Sequence, residues 1–163
     1  MDKLGFVENK ILTSERLNSL LNIWRFQSQK IVFTNGCFDL LHLGHIDYLC
    51  KASDLGNKLI IGLNSDESIS LLKGPSRPIT CQNSRAHILA SLFFVDGVVL
   101  FNEETPINLI RLIKPDFLVK GSDYTIQQII GSDVVLANGG LVKTIDYLPG
   151  YSTSSIENKI KNI

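Results

Sequence analysis

Thr34-Asn35-Gly36-Cys37-Phe38-Asp39-Leu40-Leu41-His42-Leu43-Gly44-His45 decides the fold. It begins in an apolar, β-branched run (31–34) and ends in a segment with helical spacing (44–55), so it is the turn from a first strand to a first helix. In doubly wound folds the carboxyl edge of the strands is where ligands sit. Gly36 lets backbone N–H groups come close to a ligand, and a helix N-terminus adds unpaired donors and the positive end of its dipole. His42 and His45, three residues apart, share a face at the helix entry, and Gly44 leaves room between them. The stretch is shaped for phosphate.

Working outward, the same alternation continues. Apolar runs at 59–63, 98–101, 117–119 and 141–145 are separated by helical stretches at 66–72, 84–92 and 106–113. This predicts an α/β fold, a Rossmann-like doubly wound sheet of five parallel strands in the order 3-2-1-4-5. Gly56 is expected as a left-handed helix cap and Pro106 in a first helical turn. Residues 134–136 read as helix ending at Asn138-Gly139-Gly140, and 154–163 as a C-terminal helix opened by hydroxyl caps. Leu17, Leu20, Leu21 and Trp24 recur at helical spacing behind Thr13 and Ser14. Residues 1–29 are therefore expected to form a helical brace, facing core or dimer partner, on a catalytic core of 30–163. No repeat or linker divides the 163 residues, which implies one domain.

With 44% hydrophobic and 20% charged residues the composition is that of a soluble globular protein, and no apolar run nears the ~20 residues of a membrane span. Lys plus Arg (16) balances Asp plus Glu (16), so no basic field favours nucleic acid. Cys37, Cys50 and Cys81 are odd in number, lack Cys-x-x-Cys spacing and follow no secretory leader, which indicates a reduced, cytoplasmic setting.

Neither Gly-x-x-x-x-Gly-Lys-Ser/Thr nor Gly-x-Gly-x-x-Gly occurs after the first strand, so a P-loop kinase or ordinary dinucleotide dehydrogenase is disfavoured. A zinc site on His42 and His45 with Asp39, Cys81 or His87 lacks a second ligand pair. A histidine pair satisfied by nearby backbone stays open beside the phosphate reading. Lys73 and Arg77 lie in a Gly/Pro-rich loop, placed either to close over a polyphosphate or simply to be solvated. Lys120 ends the fourth strand, facing the first strand-helix turn, within reach of a substrate phosphate or hydroxyl. Ser152, Thr153 and Ser154 open the last helix, where hydroxyls and N–H groups cap it and suit a β- or γ-phosphate. Asp39 either caps the first helix or orients a histidine or substrate hydroxyl. Cys37 reads as an inert small side chain of the turn.

His42-Leu43-Gly44-His45 after Gly36-Cys37-Phe38-Asp39 resembles the signature of the cytidylyltransferase-like nucleotidyltransferase superfamily, whose His-x-Gly-His binds a nucleoside triphosphate. Adding Lys73-Gly74, Ser76-Arg77-Pro78, Val119-Lys120-Gly121-Ser122-Asp123-Tyr124 and Ser152-Thr153-Ser154, the chain from about residue 30 onward resembles the adenylyltransferase domains of bacterial ADP-heptose synthesis. The resemblance implies a nucleotidyltransferase that joins AMP from ATP to D-glycero-β-D-manno-heptose 1-phosphate, with His42, His45 and Lys73 catalytic. It implies nucleotide contacts from Asn35, Gly36, Cys37, Phe38, Gly44, Gly121, Asp123, Ser152, Thr153 and Ser154. Substrate contacts fall to Asp39, Arg77, Arg85 and Lys120. Mg2+ held mainly by the ATP phosphates, without dedicated protein ligands, a homodimer, a separate heptose kinase and supply of ADP-heptose for lipopolysaccharide or another glycan complete the expectation.

Two positions depart from the pattern. Asn83 stands where a Glu-x-Arg would orient Arg85, and Tyr147-Leu148-Pro149-Gly150 replaces the Arg-Thr-Glu-Gly of glycerol-phosphate relatives. The second departure disfavours cytidylyl transfer to glycerol 3-phosphate, which with other polyol phosphates and a non-catalytic nucleotide-binding module forms the set of alternatives. The chemistry fits the residues: a phosphate monoester, with a second pKa of about 6, is already largely dianionic at neutral pH and needs no general base. Catalysis then consists of alignment and charge stabilisation, for which the histidines and the backbone N–H groups of 36–38 are placed.

Overall fold

The computed structural model describes residues 2–162. β-Branched and apolar runs form β1 (Ile31–Gly36), β2 (Lys58–Asn64), β3 (Gly97–Phe101), β4 (Phe117–Gly121) and β5 (Leu141–Ile145). They pair in parallel in the order β3-β2-β1-β4-β5, the doubly wound order expected. The helices are α1 (Lys3–Glu8), α2 (Ser14–Phe26), α3 (Leu43–Ser53), α4 (Asp66–Lys73), α5 (Gln82–Ala90), α6 (Ile107–Ile113), α7 (Ser132–Ala137) and α8 (Thr153–Lys161). Among the described residues no helix is long and apolar enough to cross a membrane.

Strand alternation splits the core into two layers. Ile31, Phe33, Ile60, Val99, Leu118 and Val142 face one side, packed with α2, α6 and α7. Val32, Leu59, Ile61, Leu63, Val98 and Val119 face the other, against Tyr48, Leu49 and Ala52 of α3 and Ala86, Leu89 and Ala90 of α5. Thr13 caps α2 by accepting from the Arg16 N–H, and the helix buries Leu17, Leu21 and Trp24. Each is worth roughly 2 kcal/mol of apolar burial, which fastens the N-terminal segment to the sheet.

At the amino edge, register is set by two aspartates. Asp116 accepts from the Ile31 N–H at 2.9 Å and pairs with Lys30; Asp96 accepts from the Leu59 N–H at 2.9 Å and pairs with Lys58. Each satisfies a backbone donor at the start of a neighbouring strand.

Sequence reading missed α1, capped by the Asp2 side chain, and a 3-10 turn at Ile126–Gln128. It also misread Gly56. That residue has no left-handed backbone, and α3 already ends at Ser53 with Asp54 as its cap. Glycine is required because a Cβ would lie 2.7 Å from the Lys30 carbonyl oxygen and from Val32. Pro106 is the N-cap of α6 rather than its first helical residue.

Candidate active site

The carboxyl ends of β1 and β4, the entry of α3 and the start of α8 surround a cavity of about 490 Å3. It brings together Asn35, Gly36, Cys37, Phe38, Asp39, His45, Lys73, Lys120, Gly121, Asp123 and Thr153, eleven of the expected site residues. Phe38 takes a left-handed backbone, φ 45°, uncommon for a residue with a side chain, and its ring packs edge-on to His45 at 5.2 Å. Gly36 allows this, since a Cβ there would lie 3.0 Å from the Phe38 ring.

His42 is the N-cap of α3, its Nδ1 accepting from the His45 N–H at 3.4 Å. The two imidazoles stack, centroids 3.8 Å apart and planes 18° from parallel. Burial lowers the pKa of His42, and burial, with His42 and Lys73 nearby, pushes His45 down to about 4. Both rings are therefore neutral at pH 7, and the buried His45 Nδ1 has no hydrogen-bond partner. An anion held at the edge of the stacked pair would favour the protonated form of both rings.

Gly44 makes room first of all for protein: a Cβ would lie 3.1 Å from the His42 ring and 3.1 Å from Tyr151 Cβ, so its absence lets the start of α8 approach α3. Ser152 caps α8, accepting from the Ser155 N–H at 3.1 Å, and Thr153 faces the cavity. Ser154 is exposed on the same turn.

Lys120 is largely buried and donates to the Asn35 carbonyl at 3.0 Å; burial lowers its pKa to about 8. Gly121 lies beneath Tyr147, whose hydroxyl donates to Asp123 at 3.0 Å. A Cβ on Gly121 would sit 2.0 Å from that hydroxyl. Burial, reinforced by Asp123, raises the Tyr147 phenol to about 12.

Three expectations need correction. Arg85 contacts no ligand space: it is 1% exposed, and its guanidinium donates to the carbonyls of Cys37 (2.7 Å), Asn64 (2.9 Å) and Thr80 (2.9 Å) and to Asp66 (2.7 Å). It holds the tips of β1 and β2 in place. Asp39 neither caps α3 nor touches a histidine; it accepts from the Ile79 and Thr80 N–H groups and from Arg77. Burial alone would raise its pKa, but those donors outweigh it and hold the carboxyl below its ordinary value. Arg77 is not a free cation over the cavity, since it bridges Asp39 and Glu157 of α8.

Tyr147, Glu104 and Asn64 also line the cavity and were not singled out from sequence. Asn64 was accessible to the rule applied at β1, because it is the polar residue closing β2 at the same sheet edge.

Comparison with known proteins agrees with this geometry. The model of the cytidylyltransferase-like family matches residues 33–159. The chain is 51% identical to the bifunctional protein HldE of Methylobacillus flagellatus over 93% of its own length and 31% of that protein. It is 52% identical to the bifunctional protein HldE of Campylobacter fetus subsp. fetus over 98% of its length and 33% of that protein. The chain thus spans about a third of the curated relatives it matches. Among solved structures, a lipopolysaccharide core biosynthesis protein from Thermoplasma volcanium GSS1 superposes with a TM-score of 0.57 at 28% identity, covering 74% of this chain and 97% of that one. A pantoate-beta-alanine ligase from Francisella tularensis, 19% identical, shares the fold with a TM-score of 0.61 over 91% of this chain and 76% of that one. The nucleotidyltransferase-like sheet, the stacked histidines at the first helix and the family match over most of the chain agree: the chain belongs to the cytidylyltransferase-like family.

Proposed function

We propose that the chain is an adenylyltransferase that joins AMP from ATP to D-glycero-β-D-manno-heptose 1-phosphate in the cytoplasm, releasing pyrophosphate. The observation that carries this reading is the stacked His42 and His45 pair at the amino end of α3, adjoining a cavity that also presents Lys73 and Thr153. The half-identical HldE relatives and the lipopolysaccharide core biosynthesis protein support the choice of sugar.

The acceptor phosphate arrives dianionic, so the residues orient and stabilise rather than remove a proton. His42 and His45 donate to the oxygens of the transferred phosphoryl group, most strongly as negative charge grows there. Lys73 and the hydroxyl-bearing turn at Ser152, Thr153 and Ser154 hold the departing pyrophosphate, with Gly36, Cys37, Phe38 and Gly44 shaping the turn around the triphosphate. Asp123 accepts from ribose, and Lys120 holds the acceptor. Arg77, paired with Asp39 and Glu157, fastens the loop that follows Lys73 at the end of α4 to α8, and Arg85 fixes the β1 tip. No protein side chain would be needed to hold Mg2+, which would come with the triphosphate and supply charge neutralisation there. This suits the local chemistry, because the carboxylate nearest the histidine turn, Asp39, is already occupied by two amides and a guanidinium. A homodimer and an upstream sugar kinase belong to the same reading.

The test is Mg2+-dependent pyrophosphate release from ATP, CTP, GTP and UTP, each offered heptose 1-phosphate or glycerol 3-phosphate. Release with ATP and the heptose is expected. Release only with CTP and glycerol 3-phosphate would replace the substrates, and silence with every pair would leave a binding role.

A further inference from the structure

Helix α3, which carries His45 in its first turn, rests on the sheet through apolar packing: Leu49 and Ala52 lie with Val32, Leu59 and Ile61 in one buried layer. Such packing is non-directional, so it holds a helix down without fixing its roll or its slide along a strand. A hydrogen bond fixes both, because it tolerates only a narrow range of distance and angle. Among the described residues, one hydrogen bond joins α3 to the sheet. It runs between Tyr48 Oη and Thr34 Oγ1 of β1, 2.7 Å apart.

Two periodicities bring these hydroxyls together. Val32 lies in the layer under α3 and Phe33 in the opposite one, so Thr34 returns to the α3 side. Tyr48 follows His45 by three residues, which puts it on the same face of the helix one turn further in. Thr34 is wholly buried and Tyr48 is 6% exposed, so neither hydroxyl can turn to water, and each is the other's hydrogen-bond partner. Burial, reinforced by Tyr147 and Asp123, raises the pKa of the Tyr48 phenol, which keeps its proton for this bond at any working pH. The ring of the same residue lines the cavity, its centroid 6.4 Å from that of Tyr147.

We infer that Thr34 and Tyr48 are positioning residues: their bond pins the first turns of α3 to β1 and so holds the His45 imidazole where the transferred phosphoryl group must meet it. This rests on the adenylyltransferase reading, in which His45 answers charge that grows during transfer. The His45 ring lies against Phe38, centroids 5.2 Å apart, and is stacked on His42 at 3.8 Å, so a roll of α3 disturbs both contacts. A misplacement of about 1 Å at a reacting centre costs on the order of a hundredfold in rate. Apolar packing alone leaves room for an error of that size.

Tyr48→Phe keeps the ring and its contact with Tyr147 but removes the bond, and Thr34→Val removes it from the other end. Steady-state rates with ATP and heptose 1-phosphate, urea unfolding and the titration of His45 by NMR are measured on each variant and on the double variant. Each single variant is expected to lose at least tenfold in kcat with the KM for ATP changed less than twofold. The His45 pKa should rise from about 4 by at least 1 as the ring gains water. In the double variant stability should return toward wild type, because no buried hydroxyl is left without a partner, while kcat stays as low as in the single variants. An unchanged kcat in the single variants, or a kcat that recovers with stability in the double variant, overturns the inference and leaves the pair a plain core contact. Should Tyr48→Phe fail to fold, Thr34→Val and the double variant are judged by the same numbers. Wild-type protein that transfers no nucleotidyl group to any acceptor would bring down the adenylyltransferase reading alone; the pin is then judged by the His45 titration, where an unchanged pKa in both single variants overturns it.

Discussion

The Arg85 guanidinium donates to the Cys37 carbonyl at 2.7 Å, across 48 residues of chain, and so braces the turn in which Phe38 takes its left-handed backbone. A strained residue persists only where its surroundings over-determine it, and Arg85 is the main tie at this point. Arg85→Ala leaves three carbonyls and Asp66 without their donor and is expected to cost about 3–5 kcal/mol, with loss of ATP binding. Arg85→Lys should not rescue it, because a single ammonium cannot span four acceptors. Urea unfolding and calorimetry check both.

His42→Ala tests the assigned chemistry. The expected outcome is a fall in turnover of at least about a hundredfold, the size typical of removing one charge-stabilising donor. Folding should suffer little, since the cap bond lost is long at 3.4 Å. Circular dichroism and pyrophosphate release on the same sample separate the two effects.

For His45 the folded pKa of about 4 lies below the ordinary histidine value. Between those two values the unfolded chain binds the extra proton, so stability is full above about pH 6.5 and is lost as pH falls toward 4. After allowance for solvent screening the loss is on the order of 2 kcal/mol. Urea unfolding at pH 7 and pH 4.5 should show it in wild type and show less of it in His45→Gln.

Lys120, with its pKa lowered to about 8, should give the free enzyme a basic limb. The kcat/KM for the acceptor is expected to fall above pH 8 as the ammonium is lost. Lys120→Met should lower that parameter across the range and remove the limb, as measured by initial rates from pH 6.5 to 9.5.

Gly121→Ala pushes the Tyr147 hydroxyl off Asp123, because the new methyl would stand 2.0 Å from it. Tyr147 is half exposed and can swing away, so unfolding should change by less than about 1 kcal/mol. The KM for ATP should rise severalfold, and Tyr147→Phe should reproduce part of that rise without the bulk of the methyl.

The order of the sheet and the position of the cavity-lining turn after β1 were legible because both rest on local signals: alternating runs, and a glycine-containing turn at a strand end. Arg85, Asp39 and Arg77 were not. As charged residues near a motif they look like ligands, whereas each is tied to a distant segment: Arg77 to Asp39, 38 residues away, and to Glu157 of α8, and Arg85 to the Cys37 carbonyl, 48 residues away. Gly56 failed for a related reason: its constraint is the Lys30 carbonyl from another segment rather than its own backbone angle. Asn35 leads into the turn after β1, yet only its pairing with Gly62 in the folded sheet fixes where it stands at the sheet edge.

Helix α8 buries none of its residues, is capped by Ser152, and is joined to the 74–80 loop by the ion pair between Glu157 and Arg77. A helix docked so lightly detaches at small cost, and it carries the hydroxyls assigned to the pyrophosphate end of ATP. In the proposed reaction, pyrophosphate would leave by parting this one helix from the body while the sheet stays rigid. Because the clasp is an ion pair largely out of solvent, with Arg77 20% and Glu157 17% exposed, salt screens it little, and removing the Glu157 carboxylate is what loosens it.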